Sequence, residues 1–300
     1  MKLCLGTVQF GMDYGIAGCK KPALNDAVEM LDFATQNGIS HIDTAYAYGC
    51  AEDVVGAFLR RKTVPRDGLF ISAKLKPNIM DGVSATRIYE TARANLEESL
   101  DRLGTDYVDA YMCHSARYVY DDAILEAMVR LRDAGLARHV GVSVYEVDEA
   151  RKCISDKRLD FMQLPFSILD QRMRREGVFE MDASGRMTID TRSAFLQGLV
   201  LMAEGDVPGF LSRARPVVAK VDMLCKRYGL SRVAMALGFV KQQRGVGHLV
   251  FGVDSLSQLK EDIAVFNEID LAPEVVKDID REFQGVPADV VMPSLWTKKQ

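Results

Sequence analysis

Short apolar runs alternate with longer segments of helical period along almost the whole chain. A helix is expected over residues 25–37, where Ala27, Met30, Leu31 and Ala34 follow the i, i+3, i+4, i+7 spacing of one buried face. Asp26 and Glu29 resemble a capping box at its start, and Gly38 suits a left-handed stop. The clearest stripe, Ile88, Ala92, Leu96, Leu100 and Leu103, predicts a helix over 84–103 with Ser84 as its N-cap. Further helices are expected near 51–60, 121–134, 147–155, 212–228, 231–243, 255–266 and 273–283. Between them lie strand-length runs at 2–5, 39–42, 69–73, 107–112, 139–144, 161–164, 188–191 and 248–251.

Strands separated by helices imply parallel pairing with helical crossovers. Eight of them favour an α/β fold in the form of a single (β/α)8 TIM barrel over an open doubly wound sheet. The open sheet would place a glycine-rich dinucleotide turn after its first strand. Gly6-Thr7-Val8-Gln9-Phe10-Gly11 is not GxGxxG, and Gly245-Val246-Gly247 follows a helix. The chain is therefore read as one domain, 1–300, with a C-terminal tail from about 267. A length of 300 residues suits such a barrel.

Charge and composition narrow the class. A net charge of −4 gives no general affinity for nucleic acid or anionic membranes. No apolar run approaches the ~20 residues of a membrane span. Met1–Gly6 lacks a secretory pattern, and the six cysteines, Cys4, Cys19, Cys50, Cys113, Cys153 and Cys225, form no CxxC pair. The expectation is a reduced, cytoplasmic protein with no metal site. Oligomeric state is left open.

In a barrel of this kind, chemistry gathers at the C-terminal strand ends. In strand order, those ends carry Thr7; Asp43-Thr44-Ala45-Tyr46-Ala47-Tyr48-Gly49; Lys74; His114; Ser143; Gln163; Arg192-Ser193; and Gly252. Singly, each has a bland reading: Asp43 as a cap, Tyr48 as packing, Lys74 as a solvated charge, His114 as a loop histidine. Together they carry a joint logic. Carbonyl reduction needs hydride on carbon and a proton on oxygen. A phenol of ordinary pKa ~10 is a poor proton relay near neutrality, and a lysine beside Tyr48 would lower it. Asp43 would hold Lys74, and His114 would donate to the carbonyl oxygen.

These residues resemble the aldo-keto reductase superfamily from about Leu3 to Phe266. The opening Leu5-Gly6-Thr7-Val8-Gln9-Phe10-Gly11, the Asp43–Gly49 motif, Lys74 after Ile71-Ser72-Ala73, and His114 after Asp109-Ala110-Tyr111-Met112-Cys113 carry the likeness. So do Gly141-Val142-Ser143, Gln163-Leu164-Pro165-Phe166, Ser193-Ala194-Phe195-Leu196-Gln197-Gly198-Leu199, and the stretch from Gly252-Val253 to Asp262. The resemblance implies a catalytic tetrad of Asp43, Tyr48, Lys74 and His114, with Tyr48 as proton donor. It implies cofactor contacts from Gly6, Thr7, Asp43 and Gly252, with Ser143 and Gln163 on the nicotinamide carboxamide and Arg192 against its ring. Ser193, Gln197 and Gly198 would meet the phosphate bridge, and Glu261 and Asp262 the adenine.

Some positions depart from the family. Val144 replaces a common asparagine, and so does Asp262. Asp254 stands where NADPH-preferring members often carry basic residues, while Lys260 remains to reach a 2′-phosphate. NADP(H) is the expected cofactor, with NAD(H) open. The substrate is expected to be a small carbonyl or alcohol compound, sugar-like or otherwise polar, near Tyr14, Tyr118, Tyr120 and Trp296. Two alternatives remain: a cofactor-binding regulatory subunit with little turnover, and a Schiff-base aldolase or lyase using Lys74. A metal-dependent hydrolase is disfavoured, since His41, His114, His139 and His248 form no HxH pair.

Overall fold

The structure is a computed structural model that describes residues 1–296. Eight parallel strands close on themselves in chain order: β1 Lys2–Gly6, β2 His41–Asp43, β3 Phe70–Leu75, β4 Val108–Cys113, β5 Ala137–Ser143, β6 Phe161–Pro165, β7 Thr188–Arg192 and β8 His248–Phe251. The single (β/α)8 TIM barrel read from the sequence is the fold. β8 pairs with β1 through Lys2↔His248 to Leu5↔Phe251, which removes both sheet edges.

Most of the core lies between the strands and the surrounding helices. A second, small cluster of Ala110, Met112 and Phe161 packs with Phe70. It fills the lumen: the His41 ring on β2 meets Phe161 on β6 at 6.3 Å, and those strands are not neighbours. The barrel is thus a packed core and not a pore.

Helix ends show where local chemistry differs from the sequence reading. The first long helix, Leu24–Gln36, starts at Ala23 with no side-chain cap. Asp26 sits inside its first turn, where its charge favours the helix dipole without capping. Ser84 bonds the Thr86 hydroxyl, and the chain passes through a 3-10 turn, Ala85–Arg87, before the helix Ile88–Leu103. In contrast, Asp121 caps the helix Asp122–Asp133 through the Ala123 and Ile124 N–H groups. A full capping box, Glu146 with Glu149, opens Val147–Ser155. No long helix joins β6 to β7; that connection holds only Arg172–Arg175 and the turn Val178–Glu180. None of the described helices is long and apolar enough to cross a membrane.

One contact sets up the catalytic face. A methyl group on Gly11 would land on the Tyr48 carbonyl oxygen, and one on Gly49 would strike the Gly11 carbonyl. Gly49 also holds φ +61, in the left-handed region. The two glycines let the turn after β1 press against the turn after β2, where the Cys50 N–H donates to Gly11 O at 3.2 Å. That docking fixes the backbone from which Tyr48 projects.

Candidate active site

The C-terminal ends of the strands surround a cavity of about 540 Å³. Asp43 is the last residue of β2, and its backbone carbonyl accepts from both the N–H and the hydroxyl of Thr7, at 2.9 and 3.0 Å. Its carboxylate is fully enclosed. Lys74 Nζ donates to Asp43 Oδ1 and Oδ2 at 2.6 and 2.7 Å. Gln163 Nε2, across the lumen on β6, donates to Oδ1 at 2.8 Å, and the Ser72 hydroxyl donates at 3.2 Å. A buried ion pair repays its desolvation only with such extra hydrogen bonds.

Lys74 reaches further. Its ammonium donates to Thr44 O at 3.2 Å and to the Tyr48 hydroxyl at 3.3 Å. Lys74 itself does not line the cavity; Asp43, Tyr48 and His114 do. Burial alone would depress the lysine, but Asp43 and Tyr48 outweigh it and hold the ammonium above the usual range. For Tyr48 the balance runs the other way from the sequence expectation. Burial pushes the phenol up and prevails over Lys74, which pulls it down. Tyr48 is therefore the protonated form at neutral pH, with a cation beside it.

His114 stands edge-on to the Tyr48 ring, 5.8 Å between centroids at 88°. Burial, helped by the positive Lys74 and Arg192, lowers its pKa to about 3. The imidazole is neutral, and its Nδ1 is buried without a partner among the described residues. Four side chains from three successive strand ends thus meet at one face.

A trough continues from this point. Ser143 and Gln163 are register partners on β5 and β6, both at the cavity, and Gln163 Oε1 is buried without a partner among the described residues. Gly6 and Gly252 line the opposite wall, where a Cβ on Gly252 would collide with the Gln9 amide. The loop after β7 is held in unusual backbone: Ser193, Leu196 and Gln197 have φ of 68, 47 and 54, followed by Gly198 at 94. For the three non-glycine residues this costs about 1–3 kcal/mol each. Gln197 O accepts from the Ile16 N–H at 3.0 Å, so the loops after β1 and β7 bridge one edge of the trough.

Arg192 also lines the cavity. Its guanidinium lies 4.2 Å above the Tyr145 ring and donates to Val144 O at 3.2 Å. Of the predicted contact residues, Gly6, Thr7, Asp43, Ser143, Gln163, Arg192, Ser193, Gln197, Gly198 and Gly252 all line the cavity. Glu261 and Asp262 do not: Leu259, Ile263 and Phe266 turn their helix inward, leaving Glu261 exposed and Asp262 buried beneath. Tyr14 lines the cavity, whereas Trp296 does not, Tyr120 is exposed, and the Tyr118 hydroxyl is engaged with Asp81 and the Met80 N–H. Sequence reasoning missed Gln9 and Tyr145. Gln9 sits within the quoted opening motif, and Tyr145 two residues beyond Ser143, so both were within reach.

The chain is similar to known proteins. A solved structure of a candidate aldo-keto reductase from Pseudomonas aeruginosa superposes with a TM-score of 0.65 over 88% of each chain, at 23% identity, a likeness of fold. An NADH-specific methylglyoxal reductase from Escherichia coli is 28% identical, covering 77% of this chain and 79% of its own. Prostaglandin F synthase 1 of Bos taurus is 26% identical over 90% of this chain and 86% of its own. The aldo-keto reductase YhdN from Bacillus subtilis is 27% identical over 89% and 86%. The model of the aldo/keto reductase family matches residues 2–282, and with the barrel and its rim residues already in view, the chain belongs to that family of nicotinamide-dependent oxidoreductases.

Proposed function

We propose that this protein reduces a small, polar aldehyde or ketone to the alcohol, with Tyr48 as the proton donor and NAD(H) as the preferred cofactor. One observation carries the reading: the Tyr48 hydroxyl lies 3.3 Å from an ammonium that Asp43 holds charged, at the floor of a cavity. When bound, the reduced cofactor supplies hydride to the carbonyl carbon. Tyr48 gives its hydroxyl proton to the carbonyl oxygen, and Lys74 stabilises the phenolate left behind. Neutral His114 donates a hydrogen bond to the same oxygen and orients it. Such proton transfer is worth ~10²–10⁴ in rate, and preorganised donors add to it.

The residues present suit a nicotinamide. The orphaned Gln163 Oε1 beside the Ser143 hydroxyl would meet a carboxamide, and Arg192 offers a planar face. Gly6 and Gly252 keep the trough clear, and Ser193, Gln197 and Gly198, which line it, would be available to a phosphate bridge. The family norm pointed to NADP(H); the trough argues for NAD(H). Among its described lining residues the one lysine or arginine is Arg192, and Asp254 places a carboxylate there. Lys260 is turned away, its ammonium 5.2 Å over the Phe33 ring. A 2′-phosphate beside Asp254 would meet a like charge, and among the described lining residues no lysine or arginine other than Arg192. The NADH-specific relative fits the same reading. A Schiff-base role for Lys74 loses support, because the amine is held protonated outside the cavity wall.

The test is a titration with NADH and NADPH, then a carbonyl panel on native protein and Tyr48→Phe. NADH should bind at least about tenfold tighter, and Tyr48→Phe should lose ~10²–10⁴ in kcat with NADH affinity kept. Turnover surviving in Tyr48→Phe removes the proton-donor role. Tighter NADPH binding overturns the cofactor assignment, and a preference for flat hydrophobic ketones overturns the substrate class.

A further inference from the structure

We propose a second site, for a divalent transition ion of the zinc type, inside the opposite half of the barrel, held by His41, Asp190 and His248. The three residues come from β2, β7 and β8, and one ligand atom from each lies within 4.8 Å of the others. His248 Nδ1 is 2.9 Å from Asp190 Oδ1, and His41 Nε2 is 3.6 Å from Asp190 Oδ2. Tetrahedral zinc with bonds near 2.0–2.2 Å sets its ligands roughly 3.3–3.5 Å apart. The closer pair, a hydrogen bond in the ion-free fold, has to open slightly and release its proton to solvent as the ion takes the His248 nitrogen, and the wider pair has to close slightly.

An orphaned atom points to a ligand. Asp190 is fully buried, and its Oδ2 has no hydrogen-bond partner among the described residues. Buried carboxylate oxygens are rarely left so, and a missing ion is one standard cause. Two imidazoles and one carboxylate suit zinc and its neighbours, whereas calcium and magnesium take oxygen donors. Three protein ligands leave a fourth position for water.

The surroundings fit a dry, shaped site with one door. The His41 ring packs against Phe70 at 4.3 Å and the His248 ring at 4.4 Å. His41 and Asp190 side chains are 2% and 0% exposed, while His248 is 24% exposed and gives entry from the N-terminal mouth. None of the three lines the catalytic cavity. β1 lies between β8 and β2, so an ion here ties β7, β8 and β2 across the seam where the barrel closes. Cysteine spacing and HxH patterns gave no hint of it, since the ligands are spread over about 200 residues of sequence and meet only in the lumen.

The test uses the full chain after chelator dialysis. Zn²⁺ should bind at one equivalent with Kd below about 100 μM, and the melting temperature should rise with it. Co²⁺ should give ligand-field absorption. His248→Gln, at the partly open position, should keep its circular dichroism and NADH affinity and weaken Zn²⁺ binding at least about tenfold. No binding to native protein, or binding unchanged in His248→Gln, overturns the proposal. Should that variant not fold, X-ray absorption of Co²⁺ in the native chain decides: nitrogen and oxygen donors support the site, and sulfur donors, meaning a cysteine holds the ion, overturn it.

Discussion

The two halves of the barrel lumen each bury a carboxylate among basic side chains, and they treat it differently. In the catalytic half, Asp43 accepts from Lys74, Gln163 and Ser72, at 2.6 to 3.2 Å. In the opposite half, Asp190 accepts one bond from His248, and its second oxygen is orphaned. Ser72 stands between them: its hydroxyl touches Asp43 at 3.2 Å and His41 at 3.4 Å. A carboxylate with both oxygens engaged is a fixed counter-charge, able to hold Lys74 charged through a reaction cycle. One left half-met has capacity for something more.

The largest effect is expected from breaking the satisfied pair. Lys74→Met leaves Asp43 buried with no cation and Tyr48 with no positive neighbour in bonding reach. Losing one partner of a buried pair costs about 3–5 kcal/mol. The melting transition should fall accordingly, and kcat should drop by at least ~10². A variant with near-native stability would mean that Gln163 and Ser72 alone suffice for Asp43, and the contrast between the halves would collapse.

Asp190→Asn, made in chelated protein, should do much less. Asparagine keeps an acceptor for the His248 Nδ1–H, and the oxygen that disappears as a carboxylate oxygen had no partner to lose. A change within about 1–2 kcal/mol in urea melts is expected, with kcat within about threefold. A loss as large as that of Lys74→Met would show that the lower carboxylate is as firmly built in as the upper one.

The sequence reveals the two halves unequally, because the signals lie in different places. The upper half was readable because rim residues sit at strand ends, next to turns whose composition differs from the apolar runs. Asp43, Tyr48, Lys74 and His114 each break or end such a run. The lower half was hidden because His41, Phe70, Phe161 and His248 begin strands, and inward and outward positions of a buried parallel strand look alike in sequence. Helix phase was the other blind spot. The likeness gives Glu261 and Asp262 a sequence position but not their exposure: Glu261 is exposed, Asp262 shares the buried face of Leu259, Ile263 and Phe266, and neither lines the cavity. The pKa of Tyr48 was misjudged because a neighbouring charge is visible in a motif and the depth of burial is not.

A third carboxylate extends the series to one with no compensation. Asp262 is buried, its Oδ2 has no partner among the described residues, and burial, with Glu261 nearby, raises its pKa to about 7. An acid whose folded pKa exceeds its unfolded value stabilises the fold while protonated and withdraws that stability on ionising. Cofactor-free protein should therefore weaken as pH rises from about 4 to about 7. Asp262→Asn should flatten this slope and add about 1–2 kcal/mol at pH 8. Urea melts across pH 5–8 read both, and parallel slopes in variant and native protein would place Asp262 in contact with a partner.

The smallest expected effect concerns the imidazoles and is a null of a specific kind. His248 and His139 at the N-terminal mouth pair with carboxylates, whereas His114 at the catalytic mouth faces cations and burial that hold it near a pKa of about 3. A histidine depressed this far is neutral in the fold throughout the pH range of turnover. Its burial costs no stability above about 6.5, and stability is lost as pH falls from there towards about 3, where the unfolded chain takes up a proton that the fold refuses. The kcat profile between pH 5.5 and 8 should then carry no limb from this group. His114→Gln keeps a hydrogen-bond donor and removes the titration, so its profile should superimpose in shape on the native one, lowered by about tenfold or less. A limb near pH 6.5 that vanishes in His114→Gln would show a charged imidazole at work, and the upper mouth would then tolerate a third positive charge beside Lys74 and Arg192, which its geometry argues against.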